Sequence, residues 1–355
     1  MKNVTAAPKE AQPGDDLTLM AVMQRFATEE AARAYFERIR WPHGPVCPHC
    51  GNGDQSKVYK IEANPAKKIR AGLYKCAVCE DQFTVTVGTV CEDSHIPLNK
   101  WLIAFYMMCA SKTQVSALQL QRQLELGSYR TAWFLCHRIR YALTDLDASE
   151  KLDGTVEADE TYMGGKAHGH GRGYVKNKIP VVSLVERGGR VRSQVTPQVT
   201  GREITALLRK HVASTANLNT DESNLYTKVG KEFASHDTVN HSIKEYARDD
   251  EETGRKATTN AAEGFFGNAK RSIDGTHHNV SSKHMPLYFA EIDYKYNTRT
   301  ETDGARTVSG LARIGGRRLM LRSPNEAVEE PTAEDDACHE ESDSHYSQHE
   351  NRPKE

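Results

Sequence analysis

Thr155-Val156-Glu157-Ala158-Asp159-Glu160-Thr161-Tyr162 is the stretch from which the rest of this chain is best read. Its alternation of small or β-branched residues with polar ones predicts a strand, and the two-residue period puts Glu157 and Asp159 on one face. Downstream, Ile179 to Glu186 and Arg190 to Thr196 read as two more strands around the tight turn Arg187-Gly188-Gly189. Glu203 to Val212 follows as a helix and Asn217 to Asp221 as a short strand. Tyr226 to Phe233 reads as helical, Asp237 to His241 as a strand, and Asn260 to Ile273 and Ser282 to Asn297 as two late helices.

Three antiparallel strands, a helix, a fourth strand and later helices form the order of a ribonuclease-H-like α/β core with a mixed sheet. Such a core does phosphodiester chemistry with carboxylates on its first strand, at the end of its fourth and on a late helix. Asp159, Asp221 and Glu263 fill those slots. In-line displacement at phosphorus puts charge on the attacking and leaving oxygens, which two Mg²⁺ ions about 4 Å apart stabilise. Mg²⁺ takes oxygen ligands and only a few protein carboxylates, so three suffice. Glu157 shares the Asp159 face and stays an alternative to it, while Asp221 also suits a plain turn and Glu263 a first-turn glutamate. Lys270 lies two helical turns after Glu263, on the same face, and Asn260 one turn before it, as a further ligand or DNA contact.

Upstream, Cys47 and Cys50 in CPHCG and Cys76 and Cys79 in YKCAVCEDQF pair as C-x-x-C knuckles suited to one tetrahedral structural Zn²⁺. Glu62 to Gly72 reads as the hairpin tip between them, and Phe83 to Gly88 alternates like a strand. Thr28 to Trp41, with an N-cap threonine, early glutamates and late arginines, predicts a helix. Helices are also expected over Pro97 to Ala110, Gln114 to Leu124 and Tyr129 to Leu143. The last two, around Gly127-Ser128, resemble a helix-turn-helix with Arg130 and Arg138 facing DNA, although plain three-helix packing fits as well. Lys166 and Arg172 in the glycine-rich run after the first strand suit a phosphate backbone.

The formal net charge of -1 conceals an acidic tail: residues 325–355 hold 11 acidic and 2 basic residues, leaving 45 Lys+Arg against 37 Asp+Glu in residues 1–324. A moderately basic body suits a polyanion partner. Of 8 cysteines, four sit in the knuckles, so reduced, zinc-bound thiols are expected rather than disulfides. The longest apolar run, Trp101 to Ala110, is too short to span a bilayer, and no secretory leader is expected at the N-terminus. The expected class is therefore multidomain α+β. A disordered leader (1–16) and short helical segment (17–44) precede a zinc ribbon (45–92) and a helix-turn-helix-like region (93–150). The catalytic core (151–300), a basic extension (301–324) and a disordered acidic tail (325–355) complete it.

Taken together, CPHCG, YKCAVCEDQFTVTVGTV, PLNKWLIAFYMM, GSYRTAWFLCHRIR, VEADETYMGGK and NAAEGFFGNAKRSIDGTHHNVSSKHM resemble DDE transposases of bacterial insertion sequences, from the group with an N-terminal zinc ribbon. The resemblance covers roughly residues 25–300. It implies a cytoplasmic, nucleoid-associated recombinase that binds double-stranded DNA, both its element's terminal inverted repeats and a target, as a homodimer or larger. It implies Asp159, Asp221 and Glu263 as catalytic ligands of Mg²⁺ or Mn²⁺, with Lys270 and Arg271 on DNA. A non-catalytic zinc-ribbon regulator and a structure-selective nuclease are the alternatives.

Overall fold

Leu19–Arg25 (α1) and Glu29–Arg40 (α2) open the chain in a computed structural model that describes residues 17–145, 149–164, 178–240, 243, 245, 247–249, 254 and 256–320. The Thr28 side chain accepts from the Ala31 amide, and Glu29, Glu30, Arg38 and Arg40 sit at the ends of α2 where the helix dipole favours them. Val58–Ile61 (β1), Leu73–Cys76 (β2) and Gln82–Phe83 (β3) then make an antiparallel ribbon in the order β1-β2-β3. Its tip lies within residues 62–72, closed by a 3₁₀ turn over Pro65–Lys67.

The strand expected over Phe83 to Gly88 stops at Phe83. Instead the Val87 amide donates to the Thr84 carbonyl and the Thr89 amide to the Thr86 carbonyl. The threonines satisfy backbone and one another locally, and Gly88 sits at φ 71°, so this segment turns rather than extends.

Leu98–Ala110 (α3), Ala117–Gln123 (α4) and Tyr129–Leu143 (α5) follow, the last two capped by Ser116 and Ser128. Ribbon and helices share one apolar cluster, in which Phe36, Trp41 and Phe83 join Trp101, Phe105, Leu120 and Leu135.

The central sheet is built from Thr155–Met163 (β4), Ile179–Glu186 (β5), Val191–Val195 (β6), Asn217–Asp221 (β7) and Ser235–Val239 (β8), in the order β6-β5-β4-β7-β8. β4, β5 and β6 pair antiparallel, whereas β7 runs parallel to β4 and β8 parallel to β7. Gly201–His211 (α6) connects β6 to β7. The helix expected over Tyr226 to Phe233 is a single 3₁₀ turn, Val229–Glu232. A two-residue pairing of Arg248–Asp249 (β9) with Lys256–Ala257 (β10) leads into Asn260–Thr276 (α7) and Met285–Asn297 (α8).

Strand alternation assigns the two faces of this sheet. Val156 and Ala158 of β4 and Leu218 of β7 pack with Leu207 and Leu208 of α6. On the opposite face, Met163, Val181 and Val185 pack with Phe265 and Phe266 of α7 and Phe289 of α8. Asp159, in phase with Met163, therefore belongs to the α7 face.

The segment expected as a basic extension, residues 301–324, contains a further helix, Asp303–Ala312 (α9). Its Leu311, with Ile314 beyond it, enters the ribbon-and-helix cluster. Arg317 Nη1 donates to the Tyr141, Ala142 and Thr144 carbonyls at the C-terminus of α5, where a cation suits the helix dipole. No helix among the described residues is long and apolar enough to cross a membrane. The expected leader and acidic tail fall outside the described residues.

A buried ionic network locks α5 onto the sheet domain. Arg140 Nε donates to Glu291 Oε2 at 2.8 Å, Lys295 Nζ meets Oε1 at 2.7 Å, and Gln114 Nε2 reaches Oε2 at 3.0 Å. Burial pushes the Glu291 carboxyl up, but the Lys295 and Arg140 charges outweigh it and hold it down to about 2. Glu291→Ala strands the buried Arg140 guanidinium, so urea unfolding should show a loss of about 3–5 kcal/mol. A loss below about 1 kcal/mol, the range of an exposed pair, would contradict that picture.

Candidate active site and zinc knuckles

β4 and β7 lie side by side in parallel register, with Glu157 opposite Asn219. The pairing ends there, and Asp159 and Asp221 lie two residues further along their strands, in phase with Glu157 and Asn219. Both are half-buried. Asp159 Oδ1 accepts from the Glu160 amide at 2.8 Å, and Asp221 Oδ1 from the Ser223 amide at 3.0 Å.

Glu263, in the first turn of α7, is exposed, and its Oε1 accepts from Thr259 Oγ1 at 3.3 Å. Burial pushes the Asp159 carboxyl up to about 7, the Glu160 amide pulls it back, and the charges of Glu160, Asp221 and Glu263 add to the rise. Strand β4, strand β7 and helix α7 thus bring the three expected carboxylates into electrostatic contact.

This donor set fits a hard divalent cation, since oxygen ligands and several converging negative charges are what Mg²⁺ or Mn²⁺ takes. The three carboxylates do not all close to within 4.8 Å of one another, as the knuckle thiols do. Ions placed between them, not direct carboxylate contact, would draw them together.

Glu157, the alternative to Asp159, is otherwise engaged. It is 1% exposed, and its Oε1 accepts from Arg187 Nε at 3.2 Å and Nη2 at 2.8 Å, while Oε2 accepts from amides of α7. No face of that carboxylate remains for a solvent-side ion. On the other side of β4, Glu160 Oε2 accepts from Tyr226 Oη at 2.7 Å. Burial raises the Glu160 carboxyl, the tyrosine bond lowers it, and the Asp221 charge raises it again. Glu160 is a neighbour of the site that sequence reasoning passed over, although adjacency to Asp159 was a signal for it.

Along α7, Asn260, Glu263, Lys270 and Arg271 are all exposed, while Ala262, Phe265, Phe266 and Ala269 are buried against the sheet. Arg130 is exposed in the first turn of α5. Arg138, expected to face DNA, is 6% exposed. It donates to the Glu92 carbonyl and lies over the Trp101 and Phe134 rings. Its position is that of a packing residue, because the C-terminal half of α5 is surrounded by protein. Lys166 and Arg172 lie outside the described residues.

In the ribbon, Sγ of Cys47 lies 3.6 Å from that of Cys79, and Cys50 3.7 Å from Cys76. All four thiols fall within 4.8 Å of one another. A tetrahedral ion with Zn–S bonds of about 2.3 Å requires edges of about 3.8 Å, so the four sulfurs fit zinc. Each knuckle closes on a residue of positive φ directly after its second cysteine, Gly51 at 73° and Glu80 at 62°.

Comparison with known proteins gives family matches to both regions. Residues 151–297 match the family described as ISXO2-like transposase domain. Residues 27–82 match the transposase zinc-ribbon domain. Over 255 residues the chain is 28% identical to a Halobacterium salinarum protein described as an uncharacterized protein in transposable element ISH50, covering 65% of this chain and 80% of that protein. No solved structure matches.

Proposed function

We propose that this chain, which belongs to the DDE transposases with an N-terminal zinc ribbon, cuts DNA at its element's terminal inverted repeats and joins the freed 3′ ends to target DNA. The observation that carries the reading is that β4 and β7 pair in parallel up to Glu157 and Asn219, with Asp159 and Asp221 each two residues further along on the same face, and that the Asp221 and Glu263 charges both act on the Asp159 carboxyl. Asp159, Asp221 and Glu263 would hold the divalent cations. Bound there, such ions supply Lewis-acid stabilisation of the attacking and leaving oxygens.

Two reactions use this one site. Hydrolysis breaks a phosphodiester P–O bond and leaves a 3′-OH. That hydroxyl then attacks a target phosphodiester, forming one P–O bond as another breaks, so no covalent enzyme intermediate is needed. Lys270 and Arg271 lie along the exposed face of α7 with Glu263, where they would hold phosphates. Arg130, at the exposed start of α5, is the end-recognition contact of the helical region. Arg138 is left out of the contact set because of its burial. Cutting two ends in one complex requires at least a dimer.

Gly267 supports the α7 face as the one that meets DNA. A Cβ there would meet only the Arg271 guanidinium, at 4.0 Å, so packing within the chain does not require glycine. A mid-helix glycine costs about 1 kcal/mol relative to alanine. Gly267→Ala should therefore raise stability by about 0.5–1 kcal/mol in urea melts while slowing end cleavage, because the flat approach between Glu263 and Lys270 is lost. Unchanged cleavage would remove DNA from that face.

The reading is tested with purified protein, labelled DNA carrying the repeats that flank its gene, a target plasmid, and Mg²⁺ or EDTA. Metal-dependent covalent joining of 3′ ends to the plasmid is expected. Cutting without joining would make the protein a nuclease, and binding without cutting a regulator.

A further inference from the structure

The residues two positions before each strand aspartate, Glu157 and Asn219, form a cross-strand pair directly beneath the catalytic row. Both grip the chain where it enters α7. Asn219 Nδ2 donates to the Lys256 carbonyl at 3.1 Å and the Thr258 carbonyl at 3.3 Å. Glu157 Oε2 accepts from the amides of Ala261 at 2.7 Å and Ala262 at 3.1 Å. Arg187, ion-paired to Glu157, reaches the same segment, donating to the Lys256 carbonyl at 3.1 Å and the Thr258 carbonyl at 3.5 Å.

Near the start of α7, Thr258 Oγ1 accepts from the Asn260 amide at 3.2 Å, while the Thr259 side chain makes no capping bond to the amides that follow. Its early amides are donors that a helix must satisfy elsewhere, and a carboxylate suits them through the helix dipole as well. The carboxylate that does so comes from β4, and Glu263 is the residue directly after the two capped amides.

We infer that Glu157, Asn219 and Arg187 are positioning residues: they clamp the 256–262 segment to β4 and β7 and so set Glu263 over the Asp159–Asp221 row. The inference rests on the function proposed above. Its structural content is separate, because it concerns where a helix begins and not what the helix does.

The test compares wild type, Glu157→Gln, Glu157→Ala, Asn219→Ala and Asp221→Asn by amide hydrogen exchange, DNA-end binding and metal-dependent cleavage. Asn219→Ala removes two neutral hydrogen bonds, so amides in 258–264 should exchange about tenfold faster, with β5 protection unchanged. Loss of the charge-assisted pair in Glu157→Ala should give about 100-fold, and Glu157→Gln, which keeps an acceptor, an intermediate value. Cleavage should fall in the same order while end binding holds. Asn219→Ala decides the matter if the Glu157 variants fail to fold, since it leaves no charge unpaired. Unaltered exchange over 258–264, or faster exchange with unaltered cleavage, would overturn the inference. Wild-type cleavage by Asp221→Asn would instead remove the catalytic reading and leave the exchange result to judge the clamp.

Discussion

Asp221→Asn should bind its element's DNA ends as wild type does and cut them about 10³-fold more slowly, equivalent to several kcal/mol of lost transition-state stabilisation. Asparagine keeps the size of the side chain and the oxygen that accepts from the Ser223 amide, so the end of β7 retains its geometry. What it loses is the negative charge that would hold a cation in the proposed site. Asp159→Asn should behave alike for cleavage and differ in stability. Asp159 is pressed by burial and by the charges of Glu160, Asp221 and Glu263, so neutralising it should raise the melting temperature in EDTA. A site that stabilises the fold when disabled is one whose layout serves a ligand and not the fold. Parallel end-binding, cleavage and melting measurements check all three outcomes. Near wild-type cleavage by both variants would rule the pair out as catalytic ligands.

Removing the metal from the knuckles should have the largest effect on the fold. Structural zinc contributes on the order of 10 kcal/mol in small zinc domains, more than a three-stranded ribbon supplies by itself. Tyr74 of β2 and Phe83 of β3 pack against Trp41, which ends α2. Trp41 meets Tyr74 at 5.3 Å and Phe83 at 5.8 Å between ring centroids, and Tyr74 stacks on Phe83 at 5.7 Å. Because the same cluster continues into α3 and α9, chelation or Cys76→Ser should loosen the N-terminal half beyond the ribbon. The expected observations are one zinc per chain by elemental analysis, a red-shifted tryptophan emission on chelation, and weaker end binding. Full retention of emission and binding after verified zinc loss would contradict this account.

The sheet domain was the most legible part, because strand alternation, the turn at Arg187-Gly188-Gly189 and the spacing of Glu263 from Lys270 are local signals. Helix α5 follows its expected span, and Thr28 caps α2 as its side-chain chemistry predicts. Three things were not legible, each for a long-range reason. Glu157 and Asp159 share a face, and what separates them is Arg187, 30 residues away. Arg138, expected to face DNA, is buried, and Arg140 on the same helix finds Glu291 at a separation of 151 residues. Helix α9 was hidden by the arginines of residues 301–324, which read as charge, yet its own Arg306 donates to the Cys109 carbonyl at the end of α3 and Arg317 to carbonyls at the end of α5. An arginine with carbonyl partners packs as readily as it solvates, and only the folded chain supplies those partners.

Direct ligation of divalent ions by Asp221 is the central proposal. Asp221→Cys assayed for end cleavage in Mg²⁺ and in Mn²⁺ tests it most directly. Mg²⁺ is a hard cation that takes oxygen, whereas Mn²⁺ tolerates a sulfur ligand better. The expected result is no cleavage in Mg²⁺ and partial recovery in Mn²⁺, with Asp221→Asn silent in both. Equal activity of the cysteine variant in the two metals would contradict ligation by Asp221 and, with it, the proposed site.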